Sequence, residues 1–363
     1  MSQYTRLPGF PKINRTQFIY GAAALLLTSI VIVGYQLNFL NKIDQSLSTF
    51  RNYDIGTEKR AFATFLSTNT SWDAEDHYYI ATRTMIYKMM KDPETRTRLD
   101  TDFLVIVNSN VDQKKIDRLK EDGAIVRFVE DIKVEWSKPG SERWVDQFTK
   151  LRLWEMTDWD RIMYIDSDMI VLKNLDGLWL DPATMPQSTL RFTATDPSDE
   201  APSPHQYIMG GIDDQGGNHH TPPEQSKVFN GGFFVMKPSK QMFNKYMSIL
   251  SIPDRFDTGA MEQNLLNYAH RANGPMPWQR LIPGAWNTNH PDLDDWNYGT
   301  ATLHNKFWPG SGESPAQMKF RYVDDVRRMR MNYNEEFEYQ KEWDELSKKL
   351  EDMKKEDSTT DSA

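Results

Sequence analysis

Four short apolar runs constrain the fold of this chain most: "AFATFL" (61–66), "FLVIVN" (103–108), "AIVRFV" (124–129) and "RIMYID" (161–166). Each is continuous rather than alternating, the pattern of a strand buried on both faces. Helix-like segments stand between them. Tyr78, Ala81, Met85 and Met89 fall at helical spacing behind Asp73 as a capping residue, and "VDQKKIDRLKED" (111–122) puts Ile116 and Leu119 on one side. Strands alternating with helices imply an α/β domain around a mostly parallel sheet. Such sheets take their ligands at the carboxyl ends of the strands.

The fourth run leads directly into Asp166 and Asp168, within "MYIDSDMIVLKNLDGLW" (163–179). Asp-x-Asp alone says little, because the chain has four such pairs: Asp100/Asp102, Asp158/Asp160, Asp166/Asp168 and Asp292/Asp294. The first two precede strands, where solvated carboxylates are expected, and the last lies in the loop "NTNHPDLDDW". Asp166 and Asp168 instead follow a strand, at the edge where ligands bind. Two carboxylates this close repel and resist desolvation unless a cation neutralises them, so a divalent-metal site is the natural reading. An exposed turn capping the next helix is the bland alternative. Haloacid-dehalogenase-like phosphatases also carry Asp-x-Asp after a strand, but usually at the start of the domain and with a Gly-Asp motif downstream. Here the pair lies mid-chain and no Gly-Asp dipeptide occurs.

With 52 acidic against 43 basic residues and a formal charge of −9, the chain lacks the basic field of a nucleic-acid-binding protein. It contains no cysteine, which excludes disulfides, thiolate metal sites and a cysteine nucleophile. No charge occurs from Thr16 to Asn41, and "FIYGAAALLLTSIVIVGY" (18–35) is apolar enough to cross a bilayer. A cleaved signal peptide competes with that reading, but its small residues would close the apolar run, whereas Ala22 to Ala24 stand near its start. Arg6, Lys12 and Arg15 before the run keep the N-terminus cytosolic and send the remainder to the lumen. The expected organisation is a cytosolic tail (1–17), a transmembrane anchor (18–36), a stem (37–58), a folded domain (59–320) and a charged helical tail fading into disorder (321–363). A short span suits a thin membrane, hence the Golgi or the endoplasmic reticulum. The Pro- and Gly-rich segment 196–226 reads as a mobile flap or acceptor loop, with His219 and His220 solvated rather than metal-bound. Trp278, Trp286, Trp296 and Trp308 offer stacking faces to sugars wherever the core does not absorb them.

Six segments then follow one another: "AFATFLSTN" (61–69), "FTKLRLW" (148–154), "MYIDSDMIVLKNLDGLW" (163–179), "FNGGFFVMKPS" (229–239), "MEQNLLN" (261–267) and "LHNKFWPG" (303–310). In these pieces and their order, over roughly residues 60–310, the chain resembles the glycosyltransferase family 8 enzymes, which include glycogenin and fungal N-acetylglucosaminyltransferases. The resemblance implies a single Rossmann-like nucleotide-diphospho-sugar transferase domain of the GT-A type, acting with retention on a UDP-sugar donor and a glycan or protein acceptor. It implies that Leu66, Thr68 and Asn69 line the uridine pocket and that Lys150 contacts the donor. Asp166 and Asp168, with Ser167 between them, would hold manganese and the diphosphate, with His304 as third metal ligand and Lys306 reaching the diphosphate. Asn230 and Gly231 would face the transferred sugar, and Glu262 and Gln263 would sit beside its anomeric carbon.

Two departures stand out: Glu262 replaces the Asp often found before that Gln, and "HNKFWPG" is shorter than the family's final His-to-Lys-Pro-Trp motif. Imidazole beside carboxylates suits manganese, with magnesium as the alternative. Retention needs either a nucleophile, for which Glu262 is the candidate, or attack on the leaving face of the donor, with Gln263 and Asn230 steadying the reacting centre. A membrane anchor favours glycan elongation, so UDP-N-acetylglucosamine stands ahead of UDP-glucose and UDP-galactose. Asn69-Thr70-Ser71 is a glycosylation sequon, which conflicts with a donor-pocket Asn69; the expectation is that Asn69 stays unmodified. The alternative function is an inactive, membrane-tethered sugar-binding scaffold of the same fold.

Overall fold

The computed structural model describes residues 57–67, 76–190 and 196–360. The expected cytosolic tail, the anchor, nearly all of the stem, and Thr68, Asn69 and Asp73 therefore lie outside the described residues. Among those described, no helix is long and apolar enough to cross a membrane.

All four apolar runs form strands: β1 (Arg60–Leu66), β2 (Thr101–Val107), β3 (Ile125–Phe128) and β4 (Arg161–Ile165). β1 pairs in parallel with both β2 and β4, and β2 with β3. Helix α1 (His77–Met90) links β1 to β2, and α2 (Gln113–Glu121) links β2 to β3. Asp112 caps α2, but the cap of α1 is Asp76, whose side chain accepts from the Tyr79 N–H at 3.2 Å. Asp76 also pairs with the fully buried Lys115. That need for a buried countercharge places the cap three residues later than the sequence spacing suggests.

Beyond β4 come β5 (Met169–Val171), a small ribbon of β6 (Gln187–Ser188) and β7 (Gln206–Tyr207), and then β8 (Met209–Asp213) and β9 (Phe229–Met236). α3 (Lys240–Leu250), α4 (Met261–Ala269), β10 (Gln279–Arg280), β11 (Asn287–Asn289), α5 (Leu293–Tyr298) and β12 (Thr302–His304) follow. The main sheet runs β10-β8-β9-β4-β1-β2-β3, with β9 antiparallel to both β4 and β8. A second sheet, β11-β12-β5, is joined directly to β4, because β5 begins three residues after Asp166.

Segment 196–226, expected to be a mobile loop, contributes β8 to the main sheet, and every residue of β8 is buried. Its glycines mark close approach. A Cβ on Gly210 would come within 2.5 Å of the Ala183 carbonyl oxygen, and one on Gly211 would run into the Phe229 ring. His219 is likewise not solvated: its Nε2 lies 3.0 Å from Asp295 Oδ2 and its Nδ1 2.9 Å from the Gly216 carbonyl, which ties the loop to α5.

The expected boundary at 320 falls inside α6 (Ala316–Tyr333), which is followed by α7 (Gln340–Thr360). α6 buries Met318, Tyr322, Val323, Val326 and Met329 in a cluster shared with Ile80 and Ala81 of α1 and with Trp308. Arg83 of α1 holds Asp122 at 2.6 Å and Glu335 at 2.7 Å, and Arg118 and Arg330 also pair with Glu335. Thus the charged segment is docked onto the domain, at least as far as Tyr339, whose hydroxyl meets His77 Nδ1 at 2.9 Å. Partial burial alone would raise the Glu335 carboxyl, but hydrogen bonds from Arg83 and Arg330 outweigh it and hold it down to about 2. A depressed carboxylate stabilises the fold above its unfolded value of about 4.5 and loses that contribution as pH falls towards 2. Glu335→Gln is expected to lower the thermal midpoint at neutral pH and to flatten its decline across that acid window. Parallel midpoint curves for the two proteins, followed by circular dichroism, would contradict this.

Candidate active site

Asp166 leaves the carboxyl end of β4, its N–H bonded to the Gly232 carbonyl of neighbouring β9 at 2.8 Å. Asp168 immediately precedes β5, which pairs antiparallel with β12 in the register His304↔Met169. That pairing carries His304 across 136 residues of chain to place Nε2 3.1 Å from Asp168 Oδ1. Ligand atoms of Asp166, Asp168 and His304 lie within 4.8 Å of one another, the sole such trio among the described residues. Two carboxylates and an imidazole are a sound donor set for a divalent ion. The fit is supported by His304 Nδ1, which is buried without a hydrogen-bond partner among the described residues. Burial disfavours both charged forms, yet each group sustains the other: the imidazolium and Lys306 hold Asp168 below the usual carboxylate range, and Asp168 holds His304 above the usual histidine range.

Behind this cluster stands Lys150, on a 3₁₀ helix (Gln147–Glu155), with its ammonium 3.1 Å from Asp166 Oδ1 and 2.8 Å from Glu262 Oε1. Lys150 and Glu262 are each only 4% exposed, so neither is a solvated helix charge. Burial works against the ammonium, but the two carboxylates outweigh it and hold Lys150 well above the ordinary lysine range. Burial raises the Glu262 carboxyl, and Lys150 only partly offsets that. Just before Glu262, the buried Met261 takes φ 46°, a left-handed conformation that costs a non-glycine residue about 1 kcal/mol. His290, next to Asn289 of β11, does the same at φ 52°.

A cleft of about 700 Å³ opens over these groups, a volume ordinary for a small-ligand site. At one end it is lined by Leu66, Ser67, Asn110 and Asp146, with Asp146 Oδ2 accepting from Ser67 Oγ at 2.6 Å and Asn110 Nδ2 at 3.0 Å. At the other end lie Asn230, Gly231, Gln263 and Asn289, gathered by Asp214. Asp214 Oδ1 accepts from Asn230 Nδ2 and Asn289 Nδ2, both at 2.9 Å, and its Oδ2 accepts from Gln263 Nε2 at 3.2 Å. Gln263 Oε1 in turn accepts from the Gly231 N–H at 2.8 Å. Ser167 and Lys306 also line the cleft.

Every site residue expected from the sequence and described here, namely Leu66, Lys150, Asp166, Ser167, Asp168, Asn230, Gly231, Glu262, Gln263, His304 and Lys306, borders this one cleft. Thr68 and Asn69 are outside the described residues. Sequence reasoning missed Asn110, Asp146, Asp214 and Asn289. Asn110 was within reach, since "VNSN" (107–110) ends β2 at the edge where ligands bind. None of Trp278, Trp286, Trp296 and Trp308 borders the cleft. Trp308 stacks near-parallel on His77 and Trp286 donates to Asp181 at 2.7 Å, so their faces serve packing. The three other Asp-x-Asp pairs are structural: Asp102 accepts from Trp159, Asp160 from the Lys59 N–H, and Asp292 caps α5.

Gly232 has no room for a side chain, because a Cβ there would lie 2.6 Å from His304 Cε1 and 2.7 Å from Asp166 Oδ2. Gly232→Ala is expected to weaken any binding of a divalent ion between Asp166 and His304 by about 10- to 100-fold, the usual effect of disturbing the support of a metal ligand. An unchanged manganese titration in this variant would contradict the placement.

Residues 69–291, more than half of the chain, match the family described as Glycosyl transferase family 8. Over 348 residues the chain is 28% identical to an uncharacterized protein of Schizosaccharomyces pombe, covering 85% of this chain and 92% of that one. It is 26% identical to galactinol synthase 1 of Solanum lycopersicum over 191 residues, covering 50% of this chain and 55% of that one. Among solved structures, the WbbM bifunctional glycosyltransferase aligns with TM-score 0.43 at 14% identity, covering 82% of this chain and 52% of that one. His304 lies beyond the matched range and joins the site through β12. With its mostly parallel sheet of GT-A-like form, the chain belongs to glycosyl transferase family 8 and is a UDP-sugar-dependent glycosyltransferase.

Proposed function

We propose that the chain is a retaining, metal-dependent hexosyltransferase of the secretory pathway, moving a sugar from UDP-N-acetylglucosamine, or next UDP-glucose or UDP-galactose, to a glycan or glycoprotein. The observation that carries this is the convergence of Asp166, Asp168 and His304 within 4.8 Å beside the buried Lys150–Glu262 pair. Asp166, Asp168 and His304 would hold manganese, with magnesium as second choice. When bound there, a divalent ion supplies countercharge for the departing diphosphate.

The chain's own groups divide the remaining work. Lys150 fixes Asp166 and Glu262; Lys306 offers a cation to the diphosphate; Asn230, Gly231 and Gln263 orient the sugar. The bond from the anomeric carbon to the phosphate oxygen breaks while the acceptor oxygen bonds on the same face, and the acceptor proton passes to the departing phosphate. Leaving-face attack is favoured over double displacement because Glu262 is buried against Lys150 and Asp214 is occupied by three amide N–H groups. A trapped glycosyl adduct on Glu262 would reverse that preference. Membrane anchoring and a lumenal, Golgi or endoplasmic-reticulum site are supported by the uncharged run Thr16 to Asn41. The test is UDP release from the three donors with manganese, then with a chelator. Chelator-sensitive release from at least one donor is expected; glycan binding without release from any of them would favour an inactive scaffold.

A further inference from the structure

Residues 140–146 form a rim segment between the two ends of the cleft. At one end the Gly140 N–H donates to the Gly259 carbonyl at 2.8 Å, just ahead of α4 with its Glu262 and Gln263. At the other, Asp146 holds Ser67 and Asn110. Between these anchors Trp144 is 41% exposed and Val145 58% exposed, and both border the cleft. The indole leans on Gly140, where a Cβ would come within 3.3 Å of Trp144 Cζ3. It has no aromatic or cationic partner among the described residues. Tyr78, the other exposed large hydrophobic ring at the cleft among the described residues, is engaged edge-on by Trp308 at 5.0 Å. Trp144 and Val145 thus set an apolar, solvent-facing patch on the rim of a cleft that also holds amide and carboxylate groups.

We infer that Trp144 is the acceptor subsite, stacking on the apolar face of a pyranose ring whose hydroxyl attacks the donor. This rests on the UDP-sugar transferase reading and deepens it, by assigning the acceptor to the saccharides. A pyranose presents a flat C–H face to an indole and leaves its hydroxyls free for the polar cleft, which a polyol or a peptide hydroxyl does not do. The anchor at Gly259 places the ring at the sugar end, where an acceptor must enter from solvent.

The test uses the full-length chain with UDP and manganese, and the methyl β-glycosides of glucose, galactose, N-acetylglucosamine and xylose as probes, with glycerol as control. Saturation-transfer NMR is expected to show contact through the axial ring protons of at least one glycoside, lost in Trp144→Ala and partly kept in Trp144→Phe. In transfer assays the acceptor KM should rise roughly tenfold in Trp144→Ala. Contact that persists in Trp144→Ala overturns the inference, as does the absence of contact between any glycoside and the unaltered chain. A donor KM rising in step with the acceptor KM also overturns it, making Trp144 a cover for the donor instead. If no UDP-sugar is turned over but Trp144-dependent contact remains, the transferase reading fails and the saccharide subsite stands.

Discussion

Asp168→Asn is expected to leave a folded protein that releases UDP from its donor about a thousandfold more slowly than the unaltered chain. The carboxylate is held in its charged form by His304 and Lys306, and asparagine keeps its shape while removing that charge. One of two neighbouring carboxylates then loses its charge in a partly buried site, where charge interactions are stronger than in water. A loss of several kcal/mol in stabilising the departing diphosphate corresponds to about three orders of magnitude in rate. The side-chain partner of Asp168 is His304, at 3.1 Å, so the fold has little invested in the residue. Coupled UDP-release assays and a thermal melt on the same sample check both halves. Activity within tenfold of the unaltered chain would return the pair to an ordinary turn.

Lys150→Met is expected to destabilise the fold by about 3–5 kcal/mol, because it strands Asp166 and the buried Glu262 without their cation. The same substitution combined with Glu262→Gln should recover a large part of that loss, since one of the stranded charges is then absent. A double-mutant cycle in urea gives the coupling, expected to be well above 1 kcal/mol. A Lys150→Met variant less than about 1 kcal/mol down would mean that water or another cation reaches the two carboxylates.

The parallel half of the sheet was legible because β1, β2, β3 and β4 are short, continuous apolar runs whose pattern is set locally. Asp166 and Asp168 were legible because their place after β4 distinguishes them from three look-alikes. β8 was not: Gly210 and Gly211 read as loop residues, although they are required by Ala183 and Phe229 pressing on the strand from elsewhere in the chain. Asp214 was hidden in the same segment, and its importance comes from Asn230, Gln263 and Asn289 converging on it, which no local spacing encodes. The docking of α6 was masked by its arginines, whose partners Asp92 and Glu94 lie just after α1 and Asp325 on α6 itself. The burial of Lys150 and Glu262 was not legible, because it becomes visible only once each has the other as partner.

The most direct test of the central claim is a manganese titration of the full-length chain in the presence of UDP, read by electron paramagnetic resonance of the free ion. One bound manganese per chain is predicted, lost when His304 is replaced by alanine. Unaltered UDP binding with no bound manganese would contradict it.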